Sequence, residues 1–236
     1  MSASAANLAL VATVARRLGD LRARTVFVGG ATTALLVTDP ASPSIRATRD
    51  VDVIVEVGSY LLYQLDLGET LQRAGFQVDT SEGAPLCRWI VDGVKVDVMP
   101  TDTTVLGFSN RWYPEALRHA TEHDLEPGLT IRVVTAPYFL ATKLEAFHGR
   151  GGRDFLASHD LEDMITVLDG RADVVIEVLA ADPSLRASLA EEFARLLDTA
   201  AFIDALPGHL PGDRASQARL PRLESTIARL AGRGGA

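Results

Sequence analysis

Several features are scarce in this 236-residue sequence, and each scarcity excludes a class of protein. Cys87 is the only cysteine, so the chain has no internal disulfide and suits a reducing, cytoplasmic compartment. Every apolar run falls short of the roughly 20 residues that a membrane-spanning helix needs, so we expect no membrane partner. Lysine and arginine number 23 against 31 acidic residues, which gives a net charge of −8. This balance argues against a broad nucleic-acid-binding face, because proteins that track phosphates usually carry a basic surplus.

Helical and strand patterns alternate in the first half of the chain, whereas the second half is helical throughout. The N-terminal apolar run is followed by Arg16 and Arg17, the reverse of a secretory signal. Apolar periodicity predicts helices over residues 8–18, 31–37, 60–74 and about 112–120, and strands over 25–28, 51–57, 76–78 and 129–134. Further helices are predicted over 137–150, 158–171, 172–181, 184–206 and about 215–230. We therefore predict an α/β (α+β) fold, with a mixed β-sheet flanked by helices in a domain at 1–134 and a helical C-terminal domain at 135–236.

A hairpin is predicted in the stretch LCRWIVDGVKVDVMP, residues 86–100. Two alternating runs flank Asp92-Gly93, a dipeptide that favours a two-residue turn. In the second run Lys95 and Asp97 fall on one face of the strand and three valines fall on the other.

A pair of glycines, Gly29 and Gly30, lies between the strand at 25–28 and the helix that follows it. Glycines let a phosphate approach the main chain, and the start of a helix offers free N–H groups. Thr32 and Thr33 add hydroxyls within reach of a phosphate oxygen. The stretch is not a Walker loop, because no Gly-Lys-Ser/Thr follows, and a plain strand-to-helix turn is the alternative interpretation.

Two aspartates open the next strand. Asp50 and Asp52 are two residues apart, so both carboxylates project from one face. Such a pair of oxygen ligands suits Mg²⁺. Asp97 lies in another apolar strand, and if the two strands are neighbours in one sheet, the three carboxylates converge beside the glycine turn. The alternative is three acids that never meet.

These features resemble a known superfamily. Gly-Gly after a strand, Asp-x-Asp on the next strand and a third Asp on a later one look like the nucleotidyltransferases that include DNA polymerase β. The stretches FVGGATTALLV, IRATRDVDV and PYFLATKLEAFHGR with HDLEDM resemble more closely the AbiEii-type (MenT-like) nucleotidyltransferases, known as toxins of bacterial toxin–antitoxin systems. The resemblance covers roughly residues 25–170. It implies a nucleotidyltransferase core and Mg²⁺-dependent transfer of a nucleoside monophosphate from an NTP.

The resemblance also assigns roles to residues of the first domain. It implies that Gly29 and Gly30 hold the triphosphate, that Asp50 and Asp52 ligate the metal, and that Asp97 ligates the metal or acts as a base. Because Gly30 offers only its N–H, a neighbouring threonine, Thr32 or Thr33, is expected to add a hydroxyl.

In the second domain, the family's lysine and Arg-Asp-x-x-Asp element correspond to Lys143 and to Asp160 with Asp163; His159 replaces the arginine. Lys143 is expected to neutralise phosphate charge; alternatively, its stem only covers the sheet and its head stays in water. Asp160 and Asp163 either contact substrate or support the fold. In the supporting role, Asp160 is a first-turn helix acid and Asp163 pairs with Arg150 or Arg153.

The leading hypothesis is a cytoplasmic transferase that binds NTP between its two domains and modifies an acceptor hydroxyl. The acceptor is an RNA 3′ end such as that of tRNA, as in toxin-like members with a cognate antitoxin, or a small hydroxylated compound such as an aminoglycoside. A non-catalytic nucleotide-binding or protein-interaction module is the alternative. A local basic track for RNA is predicted from Arg111, Arg118, Arg132, Lys143, Arg150 and Arg153.

Overall fold

The computed structural model describes residues 2–151 and 154–233. These residues divide into two compact units. The sheet unit runs to Ala34 and resumes over Ala47–Thr135, and the helical unit comprises Leu35–Arg46 and the chain from Ala136 onward. The sequence-based limits, 1–134 and 135–236, differ from these units in the placement of Thr135 and of one short segment, Leu35–Arg46.

The sheet unit contains seven strands among the described residues, in the spatial order β3-β4-β5-β2-β1-β7-β6. Two neighbouring pairs, β2 with β5 and β1 with β7, are parallel, and the other pairs are antiparallel. The predicted mixed sheet is therefore confirmed. The strands are β1 (Thr25–Val28), β2 (Asp50–Val55), β3 (Gln77–Val78), β4 (Arg88–Val91), β5 (Val94–Pro100), β6 (Thr121–Glu126) and β7 (Leu129–Val133).

The central strands β2 and β5 each bury one row of valines. Val94, Val96 and Val98 of β5 are buried, while the residues between them are exposed or half-buried. Val51 and Val53 of β2 are also buried, and Val51 pairs with Val96. Side chains alternate between the faces of a strand, so the valines form the apolar face and the intervening polar residues share the opposite face.

Short helices accompany the strands, and the first helix is the longest in the sheet unit. It begins at Ala3 rather than at the predicted residue 8, because the Ser2 hydroxyl caps it by accepting the Ala5 N–H at 3.2 Å. Its apolar stripe, which includes Val11 and Val14, is buried. The helices before residue 136 are α1 (Ala3–Leu18), α2 (Thr33–Leu36), α3 (Tyr60–Leu62), α4 (Gly68–Arg73), α5 (Thr103–Leu106) and α6 (Tyr113–Arg118).

The helical unit confirms the predicted helical C-terminal part. Ser158 caps its second long helix by accepting the Leu161 N–H, as its position before HDLED predicts. The predicted helix 184–206 is instead two helices that break at Asp198 and Thr199. No described helix has both the length and the apolar character to cross a membrane. The helices are α7 (Ala136–Gly149), α8 (His159–Gly170), α9 (Val174–Ala180), α10 (Pro183–Leu197), α11 (Ala200–Ala205), α12 (Arg214–Gln217) and α13 (Leu220–Leu230).

Candidate active site

The glycine turn after β1 is shaped around an acidic side chain of the next strand. Gly29 has φ 71° and ψ −168°, a backbone conformation that is essentially restricted to glycine. A Cβ on Gly29 would lie 2.7 Å from Cγ of Asp52, and closer still to its Oδ2. The Asp52 carboxylate therefore lies against the bare main chain, and the first glycine is needed for that approach as well as for the turn.

The three predicted aspartates lie on neighbouring strands. Asp52 is the Cα partner of Asp97 across the parallel β2–β5 pair, and Asp50 is the partner of Lys95. Paired residues on adjacent strands project to the same face, so the three carboxylates share the polar face of the sheet. Asp52 also pairs with Val28, the last residue before the glycine turn. The alternative of three acids on separate edges does not describe this sheet.

Arg88 of β4 is part of the same face and was not foreseen from the sequence. It is the Cα partner of Asp97 across the hairpin. Its Nε donates to Oδ1 of Asp97 and its Nη2 to Oδ2, both at 2.7 Å, and Nη2 lies 3.9 Å from Oδ2 of Asp50. The hydrogen bonds to Asp97 raise the pKa of Arg88 above its ordinary value. The side chains of Arg88 and Asp97 are only 19% and 13% exposed, so this pair is well shielded from water.

The three carboxylates differ in their fit to a divalent ion. Within residues 2–151 and 154–233, no three or more His, Cys, Asp or Glu side chains form a group that could hold one metal ion. Among the three aspartates, both oxygens of Asp97 accept hydrogen bonds from Arg88. Asp50 keeps 40% of its side chain exposed, with Oδ1 accepting from the Thr48 hydroxyl at 2.7 Å, and Asp52 is half-buried. Two carboxylates on one face fit Mg²⁺, which commonly takes one or two together with water and phosphate oxygens.

The two threonines of the turn differ in their hydrogen bonding. The Thr32 hydroxyl donates to the Gly29 carbonyl at 2.8 Å and so closes the turn itself. Thr33 is 2% exposed, and its Oγ1 has no hydrogen-bond partner among the described residues. Buried hydroxyls usually have a partner. The Thr33 hydroxyl, three residues after Gly30, could therefore form a hydrogen bond with a ligand. The phosphate contacts predicted for Gly30, Thr32 and Thr33 stay predictions.

In the helical unit, Lys143 is held by both predicted acids. Its Nζ lies 2.7 Å from Oδ2 of Asp163 and 3.3 Å from Oδ1 of Asp160. All three side chains are at most 10% exposed. The alternative in which the lysine head stays in water is therefore wrong, because its ammonium group is buried with two counter-ions. Contact of Lys143 with a phosphate stays a prediction.

Two more exposed arginines border this cluster. Arg46 donates to both oxygens of Asp163, at 3.0 and 3.2 Å, and Arg150 hydrogen-bonds Asp160. The predicted pairing of Asp163 with Arg150 is thus corrected, since Arg150 bonds the other acid, one helical turn earlier. Arg153, the second predicted partner, lies outside the described residues.

No protein-family model matches the chain, and no curated protein matches it significantly. Among solved structures, the chain is similar to an antigenic nucleotidyltransferase-like protein from Paracoccidioides brasiliensis, with 20% identity over 85% of this chain and 93% of that chain and a TM-score of 0.49. Similarity at this level concerns the path of the backbone, so a function has to be inferred from the residues themselves.

Proposed function

We propose that the chain is a Mg²⁺-dependent nucleotidyltransferase that moves a nucleoside monophosphate from an NTP to an acceptor hydroxyl, with pyrophosphate as the leaving group. The observation that carries the proposal is one row across the sheet: Asp97 beside Asp52, and Asp52 packed against the main chain of Gly29. This row puts acidic oxygens beside main chain that carries no side chain, and both features are needed to bind a metal-complexed triphosphate.

Each residue of the row has a proposed task. Asp50 and Asp52 would hold Mg²⁺, which when bound offsets the negative charge that builds on the phosphoryl group during transfer. The main-chain N–H groups at Gly29 and Gly30 would bind triphosphate oxygens, with Thr33 adding the hydroxyl that has no partner among the described residues. Asp97 would orient the acceptor hydroxyl or accept its proton, after release from Arg88.

The acceptor is proposed from charge. A small cationic compound such as an aminoglycoside suits the net charge of −8. An RNA or tRNA 3′ end, as in toxin-like enzymes with an antitoxin, would depend on local arginines, and in the sheet unit these have partners: Arg118 bonds Glu115, and Arg132 donates to the Leu117 carbonyl at 2.6 Å. The small acceptor is therefore the better supported of the two.

A non-catalytic nucleotide-binding module is a second candidate, favoured by one specific observation. Arg88 holds both oxygens of Asp97, and a permanent pair of this kind would leave Asp97 unable to act on an acceptor. Such a module would bind NTP through Asp50, Asp52 and the glycine turn without turnover.

Transfer of label from NTP tests the proposal. Purified protein is incubated with Mg²⁺ and each α-labelled NTP in turn, with total RNA in one arm and a panel of aminoglycosides in the other. Asp50→Asn and Asp52→Asn keep the side-chain shape but remove the charge, and we expect each to lower transfer by at least about 100-fold, of the order found when one stabilising group at a reacting phosphate or oxyanion is lost.

Asp92→Asn is the matched control. Asp92 lies in the hairpin turn, where it pairs with Arg17 at the surface, so its loss should leave transfer unchanged. Label that persists in both site variants would place the chemistry elsewhere. NTP binding without transfer to any acceptor would favour the module.

A further inference from the structure

A cavity of about 240 Å³ lies along one face of α8, and all of its lining residues belong to the helical unit. One side is formed by the segment that ends at Arg46 and the other by the loop around His209. The volume is below the roughly 300–1,000 Å³ of sites for drug-sized ligands, so an occupant is about the size of one sugar ring. The lining residues that matter for recognition are Ser42, Ser44, Arg46, Glu162, Thr166 and His209.

Both sides of the cavity are held by hydrogen bonds to side chains of the same unit. The Gln217 amide donates to three carbonyls of the loop 207–211, at 3.0 to 3.1 Å. On the other side, Arg219 donates to the Asp39 carboxylate at 2.7 Å and to the Ala41 carbonyl at 3.2 Å. Because the cavity is formed before a ligand arrives, binding costs little ordering of the chain.

Glu162 and two serines bring hydrogen-bonding capacity to the cavity. Oε2 of Glu162 lies 3.2 Å from Nδ1 of His159 and 3.4 Å from Nε of Arg46. Its Oε1 makes no hydrogen bond with the residues that the structure describes, and the hydroxyls of Ser42 and Ser44 make none with them either. A ligand can therefore bond to a carboxylate oxygen and to two hydroxyls without displacing an existing partner.

His209 and Thr166 add two further acceptors. Nε2 of His209 lies 2.7 Å from the Phe155 carbonyl. A carbonyl only accepts hydrogen bonds, so Nε2 carries the proton and Nδ1 of the neutral ring is left as an acceptor. The Thr166 hydroxyl donates to the Glu162 carbonyl at 2.8 Å, which leaves its oxygen to accept. The cavity is thus rich in acceptors and suits a ligand with several N–H and O–H donors.

The charges favour a cationic ligand over an anionic one. Nη2 of Arg46 donates to both oxygens of Asp163, at 3.0 and 3.2 Å, so an anion would compete with that carboxylate for the guanidinium. The same anion would share the cavity with the carboxylate of Glu162, and like charges repel. An ammonium group beside Glu162 has the opposite, favourable interaction.

We propose that this cavity binds a monocyclic hydroxylated amine, such as an amino sugar or an aminocyclitol. Glu162 binds the ammonium group, and Ser42, Ser44, Thr166 and His209 bind the hydroxyls. The inference goes beyond the proposed function, because the lining lies in the helical unit and binding requires neither metal nor nucleotide.

Binding of small probes to the full chain, without Mg²⁺ or NTP, tests the proposal. The probes are glucosamine, 2-deoxystreptamine, glucose and glucose 6-phosphate, followed by titration calorimetry and saturation-transfer NMR. We expect one molecule of either amine per chain, bound at least about 10-fold more tightly than glucose. Tenfold is the lower end of what a hydrogen bond to a charged group contributes. Glu162→Gln, which keeps the side-chain shape, should remove this preference for the amine.

Glu191→Gln is the matched control, since Glu191 is exposed on α10 and outside the cavity lining. It should bind both amines as the wild type does. Thr166→Leu gives a second reading that does not depend on charge, because the larger apolar side chain fills part of the cavity and should weaken all of the probes. Circular dichroism checks that each variant is folded.

Three results would overturn the proposal: no binding of either amine by the wild type, binding no tighter than that of glucose or glucose 6-phosphate, or an unchanged affinity for amines in Glu162→Gln and Thr166→Leu. Failure of the proposed function is separate. A chain that binds the amines in this cavity but transfers no label supports the inference and contradicts the activity. A chain that transfers label and binds neither amine does the reverse.

Discussion

Replacing Gly29 with alanine tests the close approach between the glycine turn and Asp52. The backbone of Gly29, at φ 71° and ψ −168°, is in a region where a side chain costs about 1–3 kcal/mol. The added Cβ would also lie 2.7 Å from Cγ and 2.9 Å from Cβ of Asp52, and overpacking of a filled site typically costs about 1–3 kcal/mol more. We therefore expect Gly29→Ala to lower the free energy of unfolding by about 2–6 kcal/mol.

Urea unfolding followed by circular dichroism measures this loss, and Gly107→Ala separates its two causes. Gly107 also has a positive φ, 77°, but a Cβ there would meet nothing within 4 Å. Its substitution should therefore cost only the backbone part, about 1–2 kcal/mol. Because the chain has two compact units, the transition has to be checked with a second probe before a two-state free energy is assigned.

A double-mutant cycle with Asp52→Gly isolates the steric part. Removing the Asp52 side chain removes the atoms that the new Cβ would strike, so Gly29→Ala should cost at least about 1 kcal/mol less in that background, as is usual for residues in contact. The same cost in both backgrounds would refute the close packing of Asp52 on Gly29, and with it the observation that carries the proposed function.

Other predictions concern the buried ionisable groups. Asp163→Ala should lower the free energy of unfolding by about 3–5 kcal/mol in urea, because it leaves the buried Lys143 ammonium and the half-buried Arg46 guanidinium without that counter-ion; a loss of at most about 1 kcal/mol, the size found for exposed pairs, would contradict this. Burial raises the pKa of the Cys87 thiol from 9.0 to about 12, so a thiol reagent at pH 8 should label Cys87 only in urea. Burial also raises the pKa of Tyr63. Both groups keep their protons longer in the folded state, so the stability they contribute is complete below pH 9 and should fall as pH rises toward about 12; unfolding curves that are constant between pH 8 and 11 would disprove it.

Local sequence patterns predict the hairpin. The hairpin in turn implies the pairing of Arg88 with Asp97, which the sequence analysis did not identify. A two-residue turn at Asp92-Gly93 pairs residues that lie equally far from the turn on its two sides. Residue 88 therefore faces residue 97. Both turn residues have the positive φ that this turn requires, 49° and 78°. The Arg88–Asp97 pair was thus available from the hairpin alone, once the register was written out.

The pairing of β2 with β5, unlike the hairpin, could not be predicted from local sequence. Asp52 and Asp97 are 45 residues apart (97 − 52), and nothing in either strand specifies the other as its neighbour. Parallel neighbours are set by the crossover between them and by packing of the whole sheet. The sequence therefore predicted the aspartates and their faces, but their meeting stayed conditional until the sheet order was known.

The missed strand β6 has a physical explanation. Its residues, TEHDLE, are mainly polar and exposed or half-buried, because β6 is an edge strand that, in the part of the chain that the structure describes, pairs with β7 alone. Apolar alternation marks a strand with one buried face, and an edge strand of this kind lacks that signal. Charged residues on an edge also discourage pairing with other chains.

The Asp50–Asp52 pair and the Asp160–Asp163 pair differ in solvent exposure, which decides whether a ligand can reach them. Asp160 and Asp163 are at most 7% exposed, and each already pairs with two cations of its own unit. Asp50 is 40% exposed, and the Arg88 guanidinium lies 3.9 Å from it, beyond hydrogen-bonding distance. A metal ion would have to break a buried network to reach the first pair, at the desolvation cost of the cations it displaces, whereas Asp50 is open to it. For this reason we propose metal binding at Asp50 and Asp52 and not at Asp160 and Asp163, whose ion pairs with Lys143 join α7 to α8.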